Sequence, residues 1–393
     1  MDQEVDVMNP LSGTSSQGEN QPACMIGMMV LPIMRYYEET GDPVAADLVR
    51  KFSHLVIDLM PQFGSNIGQV HSSLSTVSGI LKAGRVLGIP EYVDWAENVY
   101  TTFTSRDFIP SFGWSPENTA RPRTKGLLGC ETCTTIDDLE LAVQLALSRD
   151  EKYWDRVEQI AMNQLLEGQL LRLDFIERVP SRLIQPLPKL DSKWYTADQV
   201  LERNLGGFSS FCGPNDWVQN SLTTVQCCFG SGARGLYDIW YFSASEESDL
   251  VRVNLQFSKR LPSAVVTSYM PGEPVVEVEM NQQKKLLVRK PAWAAAEECR
   301  ILVNGKPQPG RLKGTYFDLG SQAAGTTVRI EFPDKITHKK ERIGELEFAT
   351  TWRGNAVVRM EPIGEIYPLY QNRDRTGGVK PLPFINRNPV NPL

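Results

Sequence analysis

Two short stretches, GCETCTT at 129–135 and VQCCFG at 225–230, hold four of the seven cysteines in the chain. Glu131 stands between Cys130 and Cys133, and Cys227 and Cys228 are adjacent. Only the thiolate attacks carbon or ligates a metal, so thiols gathered around a carboxylate make a pattern suited to a cation. Cys133, Cys227, Cys228 and Glu131 would complete a tetrahedral zinc site of three sulfurs and one oxygen. The same spacing accommodates a structural site of four sulfurs, Cys130, Cys133, Cys227 and Cys228. Each cysteine taken alone would be an inert core residue. A redox dithiol at Cys130-x-x-Cys133 is the weaker option, because no βαβ pattern surrounds it. With only His54, His71 and His338 in the chain, a histidine-rich metal site is excluded.

Composition narrows the class. An apolar content of 41% and a charged content of 22% are those of a globular protein, and 393 residues suffice for two or three domains. A net charge of −6 gives no electrostatic reason to bind nucleic acid or an anionic membrane. The N-terminus lacks the basic and apolar regions of a secretory signal. The apolar run from Met25 to Met34 is too short to span a bilayer and is broken by Pro32. An odd number of cysteines without a framework spacing favours a reducing compartment, so the expected location is cytoplasmic.

The elements that must position the cysteines read as helices first. PACMIGMMVLPIMRYYEETGD ends at Gly41-Asp42, and Pro43 opens VAADLVRKFSHLVIDLM, proline being favourable at a first helical position. The grammar recurs in SLSTVSGILKAGRVLG, Ile89-Pro90 and EYVDWAENVYTTF, then in TTIDDLELAVQLALS, Arg149-Asp150 and EKYWDRVEQIAMNQLL. Thr135 with Asp138 resembles a capping box, which places Glu131 and Cys133 in an extended entry segment where they share a face. Cys227 and Cys228 likewise precede a helical run, GARGLYDIWYF. Stacked helical hairpins build a solenoid or a closed α/α toroid.

From about residue 249 the period changes from 3.6 to 2, as in LVRVNLQF and TVRIEF, with further strand-like runs up to 355–361. Asn304-Gly305 is a tight-hairpin signal. Many short strands with regular turns predict an antiparallel β-sandwich. The expected domains are 1–247 helical, 248–372 β and 373–393 an extended, proline-rich tail.

The segments GCETCTTIDDLELAVQLALSRDEKYWDRVEQIAMNQLL, VQCCFGSGARGLYDIWYF, HSSLSTVSGILKAGRVLG, VRVNLQFSKRLPSAVVTSYMPG and TWRGNAVVRMEPIGEIYPLY resemble glycoside hydrolase family 127, the group of the β-L-arabinofuranosidases. The resemblance runs from about Gly27 to Tyr370. It implies a catalytic (α/α)6 barrel followed by β-sandwich domains. A complete barrel has twelve helices and the chain offers six clear ones with two more between 213 and 246, so the resemblance implies a partial barrel lacking N-terminal helices.

The resemblance further implies zinc held by Glu131, Cys133, Cys227 and Cys228, with Cys227 as nucleophile of a retaining exo-glycosidase. Its substrate would be a non-reducing-end, β-L-arabinofuranoside-like sugar of plant-type glycans. Sulfur then takes the place of the usual carboxylate nucleophile, through a thioglycosyl intermediate. The general acid should precede the E-T-C motif. This chain departs from the family's Gly-Glu-Ala-Phe-like segment there and has FGWSPENTARPRTKGLLG, where Glu117 is the only carboxylate and takes the role.

Trp114 would supply an aromatic sugar platform, and His71, in a segment matching the family's histidine-containing active-site loop, would bind a hydroxyl. His54 reads as packing, Arg234 as a brace of the zinc loop or a bridge between helices, and Cys24, Cys212 and Cys299 as structural. The expected partner is an oligosaccharide or glycoconjugate, with a homo-oligomer left open. The rival reading is a non-catalytic carbohydrate-binding or structural relative whose zinc only holds helices together.

Overall fold

The structure, a computed structural model, describes residues 26–59, 69–106, 108–117, 129–183, 196, 198–218, 224, 226–371 and 373. The tail expected at 373–393 lies outside these, Arg373 apart, and so does Cys24. The chain divides into two compact units. One comprises residues up to Ile239 together with Thr337–Arg373, and the other centres on Trp240–Ile336.

In the first unit the three expected hairpins are α1 (Val30–Thr40) with α2 (Pro43–Leu59), α3 (Val70–Leu87) with α4 (Pro90–Thr104), and α5 (Thr132–Ser148) with α6 (Tyr153–Ile160). Their ends follow from local chemistry. Gly41 and Gly88 close α1 and α3 in the left-handed conformation at φ 67° and 68°, where a side chain would be strained. Asp42 Oδ1 accepts the Val44 N–H at 2.9 Å, and Pro43 fills the first position of α2. α3 and α5 are buried on nearly every face, whereas α2 and α4 keep one face in solvent. Such all-round burial marks α3 and α5 as inner helices. A further helix, α7 (Gln226–Ser243), begins in this unit.

Two boundaries differ from expectation. α5 starts at Thr132 rather than at Thr135, and α7 starts at Gln226, before the vicinal cysteines. The expected cap at Thr135 gives way because the first turn is held by other bonds. Thr132 Oγ1 donates to the Ser209 carbonyl at 2.6 Å and Thr134 Oγ1 to Glu117 at 2.8 Å. Cys133, Cys227 and Cys228 therefore all sit in first turns of helices.

The third correction concerns the β domain. Strands β12 (Ile336–Ile343), β13 (Leu346–Arg353) and β14 (Ala356–Glu361) form a sheet of their own that belongs with the helical unit, not with the preceding strands. Their apolar residues Ile343, Phe348, Trp352, Val357 and Met360 share a core with Phe112, Trp114, Phe175 and Trp217. Asn355, in the β13–β14 turn, fixes the docking. It is 3% exposed, its Nδ2 donates to Glu158 at 2.7 Å and to Asp155 at 3.1 Å, and its carbonyl accepts from Asn163 at 2.9 Å. Asn163 lies in a π turn, Ala161–Leu165, that extends α6.

The second unit holds β1 (Ala244–Glu246), β2 (Leu250–Val253), β6 (Lys284–Arg289), β10 (Tyr316–Gln322) and β9 (Leu312–Lys313) in one sheet, in that order. The other sheet runs β3 (Lys259–Arg260), β4 (Ala264–Ser268), β5 (Val275–Met280), β11 (Thr327–Glu331), β7 (Arg300–Val303) and β8 (Lys306–Gln308). Alternate residues of both, among them Val251, Val288 and Phe317 from the first and Val266, Val278 and Ile330 from the second, meet in one core. Asn304 and Gly305 turn β7 into β8 with φ of 49° and 76°, the paired positive values of a tight hairpin. The ladders are antiparallel except that β2 runs parallel to β6. No helix among the described residues is long and apolar enough to cross a membrane.

Replacing Asn355 by Ala removes one donor from the buried Glu158 carboxylate and one from Asp155. Loss of one partner of a buried hydrogen bond costs about 1–3 kcal/mol. The denaturation midpoint of Asn355→Ala should fall accordingly, and an unchanged midpoint would contradict this docking role.

Candidate metal centre

Three helix N-termini and one loop converge in the first unit. α5 brings Glu131, in extended conformation just before its first residue, and Cys133. α7 brings Cys227 and Cys228, and α3 brings His71. Glu117 sits in the loop, its N–H bonded to the Gly129 carbonyl at 2.8 Å and its carbonyl to the Val70 N–H at 2.9 Å, so the loop is tied to both α3 and the approach to α5.

The ligand atoms of Glu131, Cys133, Cys227 and Cys228 all lie within 4.8 Å of one another, a group that could hold a metal ion. Glu131 Oε1 is 3.5 Å from each of the Cys227 and Cys228 sulfurs. The Cys228 sulfur is 3.9 Å from that of Cys133 and 4.0 Å from that of Cys227. A tetrahedral cation with about 2.3 Å to sulfur and about 2.0–2.2 Å to oxygen sets edges of about 3.8 Å between sulfurs and about 3.5 Å between sulfur and oxygen. The four separations given above match those edges, and the remaining two lie within 4.8 Å.

Electrostatics point the same way. Although Cys227 keeps an exposed side, partial desolvation within the cluster raises its thiol to about 11, aided by Cys133, and the Cys133 thiol is pushed up by its hydrogen bond to Cys228 and by burial. Burial and the neighbouring Glu131 carboxylate lift Glu117 to about 8. Acidic groups packed this closely resist joint ionisation, and a cation among them reverses that preference. The helix N-termini add partial positive charge where the thiolates form.

The helices approach closely because α7 carries glycine. A Cβ at Gly235 would overlap the Ile136 side chain of α5. Arg234 then bridges the same two helices, its guanidinium 3.0 Å from Asp137 and 3.2 Å from Glu140.

Each candidate from the sequence has a definite place. Glu117 accepts from Thr134, next to Cys133 in the chain, so its carboxyl borders the cluster. His71 binds Asp137 through Nδ1. Burial alone would lower its pKa, but Asp137, Cys133 and Glu131 outweigh it and raise the imidazole to about 9. Cys130 stands apart from the cluster. It is fully buried, exchanges backbone hydrogen bonds with Cys212 at 2.8 and 3.1 Å, and lies in the core with Trp114. Glu131, not Cys130, is the fourth member. Trp114 corrects the sugar-platform expectation: its ring is fully buried and its N–H donates to the Cys212 carbonyl at 3.1 Å, so neither face is open to a ligand. His54 rests edge-on against Tyr92. Sequence reasoning missed Thr134 and Asp137. The signal available was Cys133, Asp137 and Glu140 at helical spacing, which puts a thiol and two carboxylates on one face of the helix.

A thiol-rich centre at the ends of hairpin-stacked helices defines the class to which comparison then gives a family. The model for the β-L-arabinofuranosidase GH127 catalytic domain matches residues 6–239, and the chain belongs to this family. Among solved structures, a GH127 β-L-arabinofuranosidase from Geobacillus stearothermophilus is similar at a TM-score of 0.60 and 14% identity, over 86% of this chain and 61% of that one. A GH127 β-arabinofuranosidase gives 0.61 and 15%, over 86% and 56%, and a glycoside hydrolase gives 0.62 and 14%, over 88% and 62%. At these identities the likeness is one of fold, and the chain spans about three fifths of the length of these structures. Comparison with curated proteins found no match.

Metal analysis after dialysis separates the ligand sets. Cys130→Ser should keep bound metal at the wild-type level, and Cys133→Ser should lose it. The opposite pattern would place Cys130 in the centre.

Proposed function

We propose that the chain acts as a retaining exo-glycosidase on β-L-arabinofuranoside-like sugars at the non-reducing ends of plant-type glycans, with zinc held by Glu131, Cys133, Cys227 and Cys228. The observation that carries this reading is the compact cluster of ligand atoms in which one thiol, Cys227, is exposed while Cys133 and Cys228 are buried. Three sulfurs and one oxygen within 4.8 Å of one another suit zinc. The enclosed α3 and α5 beside the more open α2 and α4 support a segment of an (α/α)6 barrel. The two sheets around one core support a β-sandwich.

Zinc, when bound, keeps its thiol ligands deprotonated at neutral pH. Cys133, Cys228 and Glu131 hold the centre, and the exposed Cys227 is the sulfur that a sugar can reach. Its Sγ bonds to the anomeric carbon as the glycosidic C–O bond breaks, and Glu117 gives its proton to the departing oxygen, which leaves as an alcohol. Glu117, now a carboxylate, takes a proton from water, whose oxygen displaces the sulfur and frees the thiolate. Two inversions give net retention. Beside these groups His71 binds a sugar hydroxyl.

Turnover of aryl β-L-arabinofuranosides tests the reading. Cys227→Ala should lose turnover by a factor on the order of 10³–10⁶, as nucleophile removals do. Glu117→Gln should slow substrates with poor leaving groups by about 10²–10⁴-fold and activated aryl glycosides far less. Equal slowing of both would remove Glu117 from the acid role. A wild-type protein that binds zinc and sugar but hydrolyses no furanoside or pyranoside would establish the non-catalytic alternative.

A further inference from the structure

Among the described residues, the His71 ring is held through Nδ1. Nδ1 meets Asp137 Oδ2, and Asp137 Oδ1 takes the Arg234 guanidinium at 3.0 Å. Both carboxylate oxygens are thus engaged, and the Asp137 side chain is 1% exposed, so these two bonds stand in for its lost hydration. The three residues come from the three helices that converge on the metal centre. His71 is in the first turn of α3, Asp137 one turn beyond Cys133 on α5, and Arg234 two turns beyond Cys227 on α7.

The middle of the triad is buried and its ends reach solvent: Asp137 is 1% exposed, the His71 side chain 24% and Arg234 33%. With Nδ1 turned to the buried Asp137, Nε2 is the ring nitrogen left for a ligand, and the imidazole lies near enough to Cys133 and Glu131 to feel their charges.

We propose that Asp137 is a positioning residue, braced by Arg234, that holds the His71 ring by Nδ1 and so presents Nε2 to a hydroxyl of the sugar at the metal centre. This rests on the glycosidase reading for the identity of the ligand, a furanose hydroxyl, but not for the ring's orientation. Nδ1 carries its proton towards Asp137 in either charge state of the ring, which leaves Nε2 as the nitrogen offered to the ligand. Asp137 touches neither sugar nor metal and acts through His71.

Two readouts test the proposal, one of them independent of catalysis. With three histidines in the chain, the His71 ring signals can be assigned by NMR from the loss on His71→Ala. The wild-type zinc protein should show a downfield, hydrogen-bonded Nδ1 proton for His71, and L-arabinose should shift the Nε2 signal. Asp137→Ala should abolish that proton while zinc content stays at the wild-type level. Asp137→Asn covers the case in which the alanine variant fails to fold. The proton should weaken in it, since an amide replaces the charged acceptor.

In turnover, Asp137→Ala and His71→Ala should each lower kcat/KM by roughly 10–100-fold, the usual scale for groups that orient active ligands. The double variant should be no worse than the worse single one. An Nδ1 proton that persists without Asp137, an Nε2 signal indifferent to L-arabinose, or additive losses would overturn the proposal. If the wild-type protein hydrolyses nothing, the glycosidase reading fails, and the NMR arm still decides the positioning of His71.

Discussion

Everything around the centre is arranged to hold four acidic side chains closer together than they would stay by themselves. Three thiols and a carboxylate within 4.8 Å repel once ionised, and burial penalises each charge further. A cation converts that repulsion into attraction, but only if the scaffold keeps the ligand atoms on the corners of a tetrahedron before it arrives. The fold serves this by converging helix N-termini, whose free N–H groups and dipoles favour negative charge. It sets the separation of α5 and α7 by the absence of a side chain at Gly235 and by the Arg234 bridge, so packing and charge pairing fix the same distance.

The same constraint explains why the local sequence was hardest to read where the chemistry is. Glu131 occupies the N-cap of α5 yet makes no capping bond, because its carboxylate faces the thiols. A residue that ignores its cap hides the start of its helix, and Thr135-x-x-Asp138 offered a better local match four residues on. Thr135 instead meets the Cys130 sulfur at 3.2 Å. Local rules fail here because the site overrides them. Away from it they hold. The Gly41-Asp42-Pro43 and Gly88-Ile89-Pro90 junctions end and begin helices where expected, and Val, Ile and Phe alternation marks the strands that fill the second unit's core.

What period and turn chemistry could not supply was partnership between distant segments. β12 to β14 alternate like the strands before them, and nothing local says that their apolar face belongs with Phe112, Phe175 and Trp217. The parallel pairing of β2 with β6 is equally invisible, since it depends on chain crossover rather than on residue type. Asp137 reads as an ordinary helix residue until α3 delivers His71 from 66 positions away. Trp114 shows the reverse error. An aromatic near a sugar site suggests a platform, but its neighbours Phe112 and Cys130 are core, and the indole is core with them.

X-ray absorption at the zinc K-edge of the zinc-loaded protein counts the ligands of the centre by element. The first shell should hold three sulfurs at about 2.3 Å and one oxygen at about 2.0–2.2 Å. A shell of four sulfurs would install Cys130 in place of Glu131. A first shell of oxygen alone would mean that these cysteines were not gathered for a metal at all.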